Sequence, residues 1–382
     1  MGIHRGHKAR PLEWVAEKLI FAISLSAILM VFLIFLFVAR EAWPIFTGSM
    51  NSAAIQPVLQ ASDTAKLKPE VLQSYLGLTK AGFTAMDRES IQALMEVRQA
   101  AMDELPASVR SDKDANLNTV SWKYLIQPHQ WTGYDKPEYI WQPISTINKY
   151  NIIPLVIGSI KASLVALAFS VPLALGAAIY VSQLARPALK EWLKPAIEML
   201  AGIPSVVVGS FAYIFLATVL QKFLGYESRL NALLAGVALG FAIIPVVFSI
   251  AEDALTSVPR AYTQAALALG ASKWKAAWQI GLPAAIPGVF AAVVLGFGRA
   301  IGETMIVLLA SGNASIVSWS VFDSTRTMTA TIAAEMAEAV FGGNHYRILF
   351  LIGALLFVVT FFSNLAGDLI IHRLKAKMEG KV

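Results

Sequence analysis

Six long apolar runs, separated by polar segments of very unequal length, organise this chain. They cover roughly 19–39, 152–181, 197–220, 230–250, 284–309 and 348–371, and each supplies the ~20 predominantly apolar residues that a membrane-crossing helix needs. The pattern predicts an all-α membrane protein with six transmembrane helices. It divides into an N-tail with helix 1 (1–40), a polar segment (41–150), a core of five helices (151–371) that includes a polar loop (251–283), and a C-tail (372–382). The first run follows a basic stretch but has no small-residue cleavage site before Ala39-Arg-Glu-Ala-Trp-Pro44, so it reads as an uncleaved span rather than a signal peptide.

The polar segment 41–150 has its own pattern. Pro69–Leu76 reads as helical, and so does Asp87–Met102, where Ile91, Leu94, Met95 and Met102 recur at helical spacing before Pro106. These apolar positions predict a small packed core. Trp122, Tyr124, Trp131, Tyr134, Tyr139 and Trp141 precede the second run, and such amphipathic rings suit the headgroup layer. A docking surface for a soluble partner is the alternative.

Charge distribution orients the spans. Lys and Arg collect at the N-terminus (Arg5, Lys8, Arg10, Lys18), in the second-to-third connection (Arg186, Lys190, Lys194), in the fourth-to-fifth (Arg260, Lys273, Lys275) and at the C-terminus (Arg373, Lys375, Lys377, Lys381). The positive-inside rule therefore places both termini in the cytoplasm and residues 41–150 outside it. Composition agrees with a polytopic membrane protein: 56% hydrophobic, 15% charged, mean hydropathy +0.60. The +6 net charge is a topology signal rather than a sign of nucleic-acid binding.

Several chemistries are excluded. The chain has no cysteine, so disulfides, thiolate metal sites and iron–sulfur clusters cannot form. His4, His7, His129, His345 and His372 lack metal-ligand spacing, and no nucleophile–base arrangement is present. Gly270-Ala-Ser-Lys273 lacks the Gly-Lys-Ser/Thr ending of a phosphate-binding loop. Hydrolysis of ATP by that mechanism would have to reside in a partner.

The charges inside the fifth run carry the candidate chemistry. A central arginine costs roughly 2.5–3.5 kcal/mol on insertion scales, yet Arg299 stands there with Glu303 four residues on. That spacing puts both on one helix face, with Gly296, Gly298 and Gly302 permitting close helix approach. The bland reading is an internal ion pair. The functional reading is a pathway in which a passing anion replaces Glu303 as the partner of Arg299, a role suited to a planar multi-donor guanidinium. Lys161, early in the second run, is expected to snorkel to the headgroups. Asp323, Arg326, Glu335 and Glu338 fall in the fifth-to-sixth connection, with Met328–Val340 a possible short helix; its carboxylates are expected to be solvated or to meet a binding protein. Asp368 reads as interfacial.

The loop after the fourth run predicts two short helices. Pro259 is placed to open the first, Gly270 to end it in left-handed geometry, Ser272 to cap the second, and Pro283 to reset the chain before the fifth run. Within it stand Gln264-Ala265-Ala266, then Gly270, then Ile280-Gly-Leu282-Pro283. This spacing resembles the cytoplasmic coupling motif of ABC-transporter permeases, with Gln264 where that motif normally has glutamate. Gly298–Met305, Ser311-Gly-Asn313 and Thr331–Ala339 further resemble the signature of phosphate-specific transport permeases of the PstC type. The likeness covers the first run and nearly everything from Trp141 onward; roughly 48–140 looks like an insertion. It implies a type I ABC importer permease fold in the bacterial inner membrane, moving phosphate beside a second, PstA-like permease subunit. It also implies two ATPase subunits that use ATP and a periplasmic phosphate-binding protein. Rival readings are a permease for another oxyanion or small solute, an ion-coupled secondary transporter, and a membrane sensor.

Overall fold

Each apolar run becomes a helix of membrane-crossing length: Val15–Phe46, Ile153–Leu184, Ser205–Leu224, Ala232–Thr256, Lys273–Gly302 and Asn344–Leu374. The computed structural model describes residues 11–53, 69, 72, 76, 83–103 and 112–378. Pro69–Leu76 lies mostly outside them, as do His4, His7, Arg5, Lys8, Arg10 and Lys381.

Several boundaries depart from the expected ones, the fifth span for instance beginning at Lys273 rather than near 284, and two of the departures have a direct local cause. The third span begins at Ser205, not near 197, because Pro204 takes an extended conformation after a short turn at Leu200–Gly202. The residues before it form a separate helix, Pro187–Met199, opened by a proline in its first turn. The fifth span ends at Gly302, not near 309. Glu303 is extended (ψ 135°), and the chain restarts as the short helix Met305–Ala310.

The fourth span is the centre of the bundle. Leu234, Leu239, Ile243, Val247, Phe248 and Leu255 are buried there against Ala162, Ala166, Ala174 and Ala178 of the second span. Lipid tails are as apolar as leucine, so such contact rests on close van der Waals approach. Gly240 shows how close. A methyl group there would lie 2.6 Å from a Phe169 ring carbon and 3.3 Å from the Ala166 carbonyl oxygen. The first span is peripheral and touches the sixth through Phe35–Phe357 and Phe37–Phe350 ring pairs at 4.7 and 5.6 Å.

Between the first two spans, helix Arg88–Asp103 appears where its periodicity predicts. Met95 is buried with Leu72, Leu76 and Phe83 around it, the expected small core. The rest is an addition to an otherwise helical chain: a hairpin pairing Trp141–Gln142 with Lys149–Tyr150, antiparallel. Trp131 and Trp141 are 3% and 4% exposed, so these two rings do not occupy a headgroup layer. Trp141 packs with Tyr150, Leu125, Ile45 and Ile348 in a core that joins this segment to the first and sixth spans. Asp114 fastens a second corner. Its carboxylate accepts from the Thr132 backbone N–H (2.7 Å) and hydroxyl (2.9 Å) and faces His129 Nε2 at 3.1 Å.

Candidate functional site

The helix break at Glu303 reshapes the Arg299–Glu303 pair. Arg299 lies in the last turn of the fifth span, and Glu303 lies beyond its end, so the two do not share a helix face. Glu303 Oε1 instead accepts from the N–H groups of Thr304 (3.1 Å) and Met305 (3.2 Å), which open the next helix. Its carbonyl, freed by the break, accepts from the Thr329 hydroxyl at 2.8 Å. Among the described residues Arg299 has no ion-pair partner, and its side of the helix is exposed. The internal ion pair of the bland reading does not form, because the carboxylate is used as a cap. Height can be read from Gly296, which faces Ile243 and Val247 at the middle of the fourth span. Arg299 stands one turn further along. Gly298 approaches Asn364 of the sixth span.

Behind the break, the fifth-to-sixth connection folds back on the bundle. Lys161 is 3% exposed, and its Nζ donates to the carbonyls of Ser318 (2.9 Å) and Ser320 (3.1 Å). It does not snorkel, since the loop brings those carbonyls to it. Asn313 takes a positive φ of 55°, and its amide donates to the Leu308 carbonyl at 2.7 Å, closing the end of the short helix. Helix Met328–Glu335 follows. Its last residue is not solvated. Glu335 is 8% exposed and takes Arg326 Nη2 at 2.6 Å and the Trp141 indole N–H at 3.1 Å. His345 Nε2 lies 3.3 Å from the other oxygen, without hydrogen-bond alignment. Burial pushes the Glu335 carboxyl above its ordinary value, and Arg326 and Trp141 oppose that push. Glu338 stays exposed, as does Asp368 on the sixth span.

The hairpin between the fourth and fifth spans forms as its turn residues dictate. Helix Arg260–Ala268 starts directly after Pro259, which is extended at the cap position rather than inside the first turn. Gly270 is left-handed (φ 87°), and the Ser272 hydroxyl accepts from Lys275 N–H at 3.3 Å to open Lys273–Ala276. Pro283 does not interrupt the chain. The helix runs on through a π turn at Ala277–Gly281, whose i→i+5 bonding leaves room for a residue without an N–H. Gln264, Ala265, Gly270 and Ile280 are exposed, Ala266 is half-buried, and Leu282 packs against the bundle core. Trp274 and Trp278 stack on the same exposed surface, 5.9 Å apart.

Neither the role of Glu252 nor the burial of Glu335 is evident from spacing alone. A signal for Glu252 exists: Lys190 and Lys194 are one helical turn apart, so they present adjacent ammonium groups. Nothing local marks the burial of Glu335: Arg326 and His345 stand about ten residues to either side, but the Trp141 indole comes from far back in the chain.

Six spans around a buried centre, with a capped hairpin exposed at one end, define a polytopic membrane protein. The chain belongs to the binding-protein-dependent transport system inner membrane component family, whose pattern matches residues 170–379. A probable ABC transporter permease, YqgH of Bacillus subtilis (strain 168), is 32% identical over 221 residues, 58% of this chain and 72% of that protein. The phosphate transport system permease protein PstC of Xylella fastidiosa (strain 9a5c) is 32% identical over 257 residues, 62% and 78% of the two chains. PstC of Pasteurella multocida (strain Pm70) is 31% identical over 260 residues, 63% and 80%. The inward-facing MetNI methionine ABC transporter overlaps with a TM-score of 0.44 at 16% identity, over 58% of this chain and 94% of that one. That degree of overlap adds nothing to the family assignment.

Proposed function

We propose that this chain is one of two permease subunits in an ATP-driven importer of inorganic phosphate across the bacterial inner membrane. The 259–283 hairpin and both termini face the cytoplasm, and residues 41–150 face the periplasm. The observation that carries the substrate reading is Arg299: a guanidinium one turn from mid-height, exposed from the chain's own bundle, with its nearest acidic neighbour in sequence used as a cap. Such a group favours an oxyanion through charge-assisted, multi-donor hydrogen bonds. The phosphate-permease names carried by the relatives from Xylella and Pasteurella support that anion. A second, PstA-like permease subunit would close the pathway opposite Arg299. The Glu303 carboxylate, just past the helix end, would repel the anion and keep it from lingering.

Energy enters at the hairpin. This chain has no ATP-binding loop, and the exposed Gln264-Ala265 edge and stacked tryptophans suit docking by one of two separate ATPase subunits. Their cycle would shift the bundle between inward-open and outward-open states, with a periplasmic phosphate-binding protein loading the outward-open one. The test is uptake of radiolabelled phosphate by the complete complex in proteoliposomes, with excess sulfate or molybdate as competitor. ATP-dependent phosphate accumulation that resists both competitors is expected. Uptake that either competitor abolishes would move the assignment to another oxyanion.

A further inference from the structure

The root of the hairpin holds a buried carboxylate that neither the pathway nor the docking surface uses. Glu252, four residues before the fourth span ends at Thr256, has a side chain 1% exposed. Lys190 donates to its Oε1 and Lys194 to its Oε2, each at 2.7 Å. The Thr256 hydroxyl adds a bond to Oε1 at 2.9 Å. Both lysines belong to helix Pro187–Met199. Lys194 also reaches Asp253 at 3.0 Å, and the Ser249 hydroxyl donates to Glu198 of the same helix at 3.3 Å. From the end of the second span, the Gln183 amide donates to the Leu255 carbonyl at 3.1 Å. The last two turns of the fourth span are therefore fastened to two other elements immediately before Pro259.

Apolar packing would hold these helices together at least as well, because burying a carboxylate is costly and buried ion pairs are weak stabilisers. Apolar packing is non-directional and fixes register only through the fit of side-chain shapes. A carboxylate gripped on both oxygens fixes register and direction. We propose that Glu252 is a positioning residue that locks helix Pro187–Met199 to the root of the hairpin, so that a push on the hairpin moves that helix and the fourth span as one body. The inference rests on the ATP-driven reading above.

The test measures ATP hydrolysed per phosphate delivered by the complete complex in proteoliposomes, for the wild type, Glu252→Gln, the pair Lys190→Gln with Lys194→Gln, and all three changes together. Each partial variant should keep phosphate-stimulated hydrolysis while the ratio rises at least threefold, and the triple variant should rise no further, because both sides remove the same link. An unchanged ratio in Glu252→Gln at wild-type abundance and Tm would overturn the proposal. So would effects that multiply in the triple variant. If Glu252→Gln fails to accumulate, the lysine pair, about a third exposed, carries the test alone, and an unchanged ratio there is equally fatal. A wild-type complex whose hydrolysis ignores phosphate would instead contradict the functional reading.

Discussion

At the scale of single residues, Lys161, Glu252, Glu303 and Glu335 each have defined partners, whereas Arg299 has no ion-pair partner among the described residues. Glu303 shows the difference between spacing and structure. Four residues from Arg299 it reads as a helical neighbour, yet it caps the following helix. Glu303→Gln keeps an amide oxygen able to accept from Thr304 N–H, whereas Glu303→Ala removes the cap and should cost ~1 kcal/mol. Thermal unfolding of the two purified variants should therefore rank glutamine above alanine. A second residue-scale expectation concerns Asp114. Burial raises its carboxyl, but His129 and the two Thr132 donors outweigh burial and hold it below the ordinary value. A depressed carboxylate contributes stability that is fully present above its unfolded-state value, about 3.9, and is lost as pH falls through the lower folded value. Tryptophan fluorescence, with Trp131 packed on His129 at 4.7 Å, should report acid loosening of residues 112–150 that Asp114→Asn makes independent of pH in that window.

Among the elements, the legible ones are those whose cause is local. All six spans, helix Arg88–Asp103 and both hairpin helices follow from apolar length, helical periodicity and the turn chemistry of Gly270 and Ser272. The break after Gly302 is not legible, because Phe297–Ile306 carries no proline and reads as continuous helix; the Glu303 side chain caps the new helix locally, but the carbonyl freed by the break is satisfied by Thr329, far away in sequence. Lys161 was misplaced for the same reason, its carbonyl partners lying more than 150 residues on. Gly240 is the element-scale test of the central packing. Gly240→Leu must displace the Phe169 ring or separate the second and fourth spans, and overpacking of this kind costs about 1–3 kcal/mol. Detergent-solubilised Gly240→Leu should lose thermal stability accordingly, while the same change at Gly202, with open space around its Cβ position, should not.

Over the whole molecule, two fastenings oppose each other across the bundle. At one end Glu335 joins Arg326, Trp141 and the start of the sixth span; at the other Glu252 joins the hairpin root to helix Pro187–Met199. Removing Glu335 leaves Arg326 half-buried and unpaired, and breaking such a pair costs up to about 3–5 kcal/mol. Glu335→Gln should therefore unfold at markedly lower temperature than Glu338→Gln, whose carboxylate is exposed. Gentle-detergent purification should retain a second six-span chain and nucleotide-binding subunits, and alanine-to-glutamate changes at Ala265 or Ala266 should release the latter alone. Arg299 is the residue on which the proposed phosphate pathway depends. Phosphate uptake by proteoliposomes carrying Arg299→Gln, compared with wild type at equal complex abundance, is the most direct measurement. Loss of charge-assisted hydrogen bonding worth ~1.5–3 kcal/mol predicts a decline of roughly 10- to 100-fold. Uptake at the wild-type rate would show that phosphate passes without touching this guanidinium.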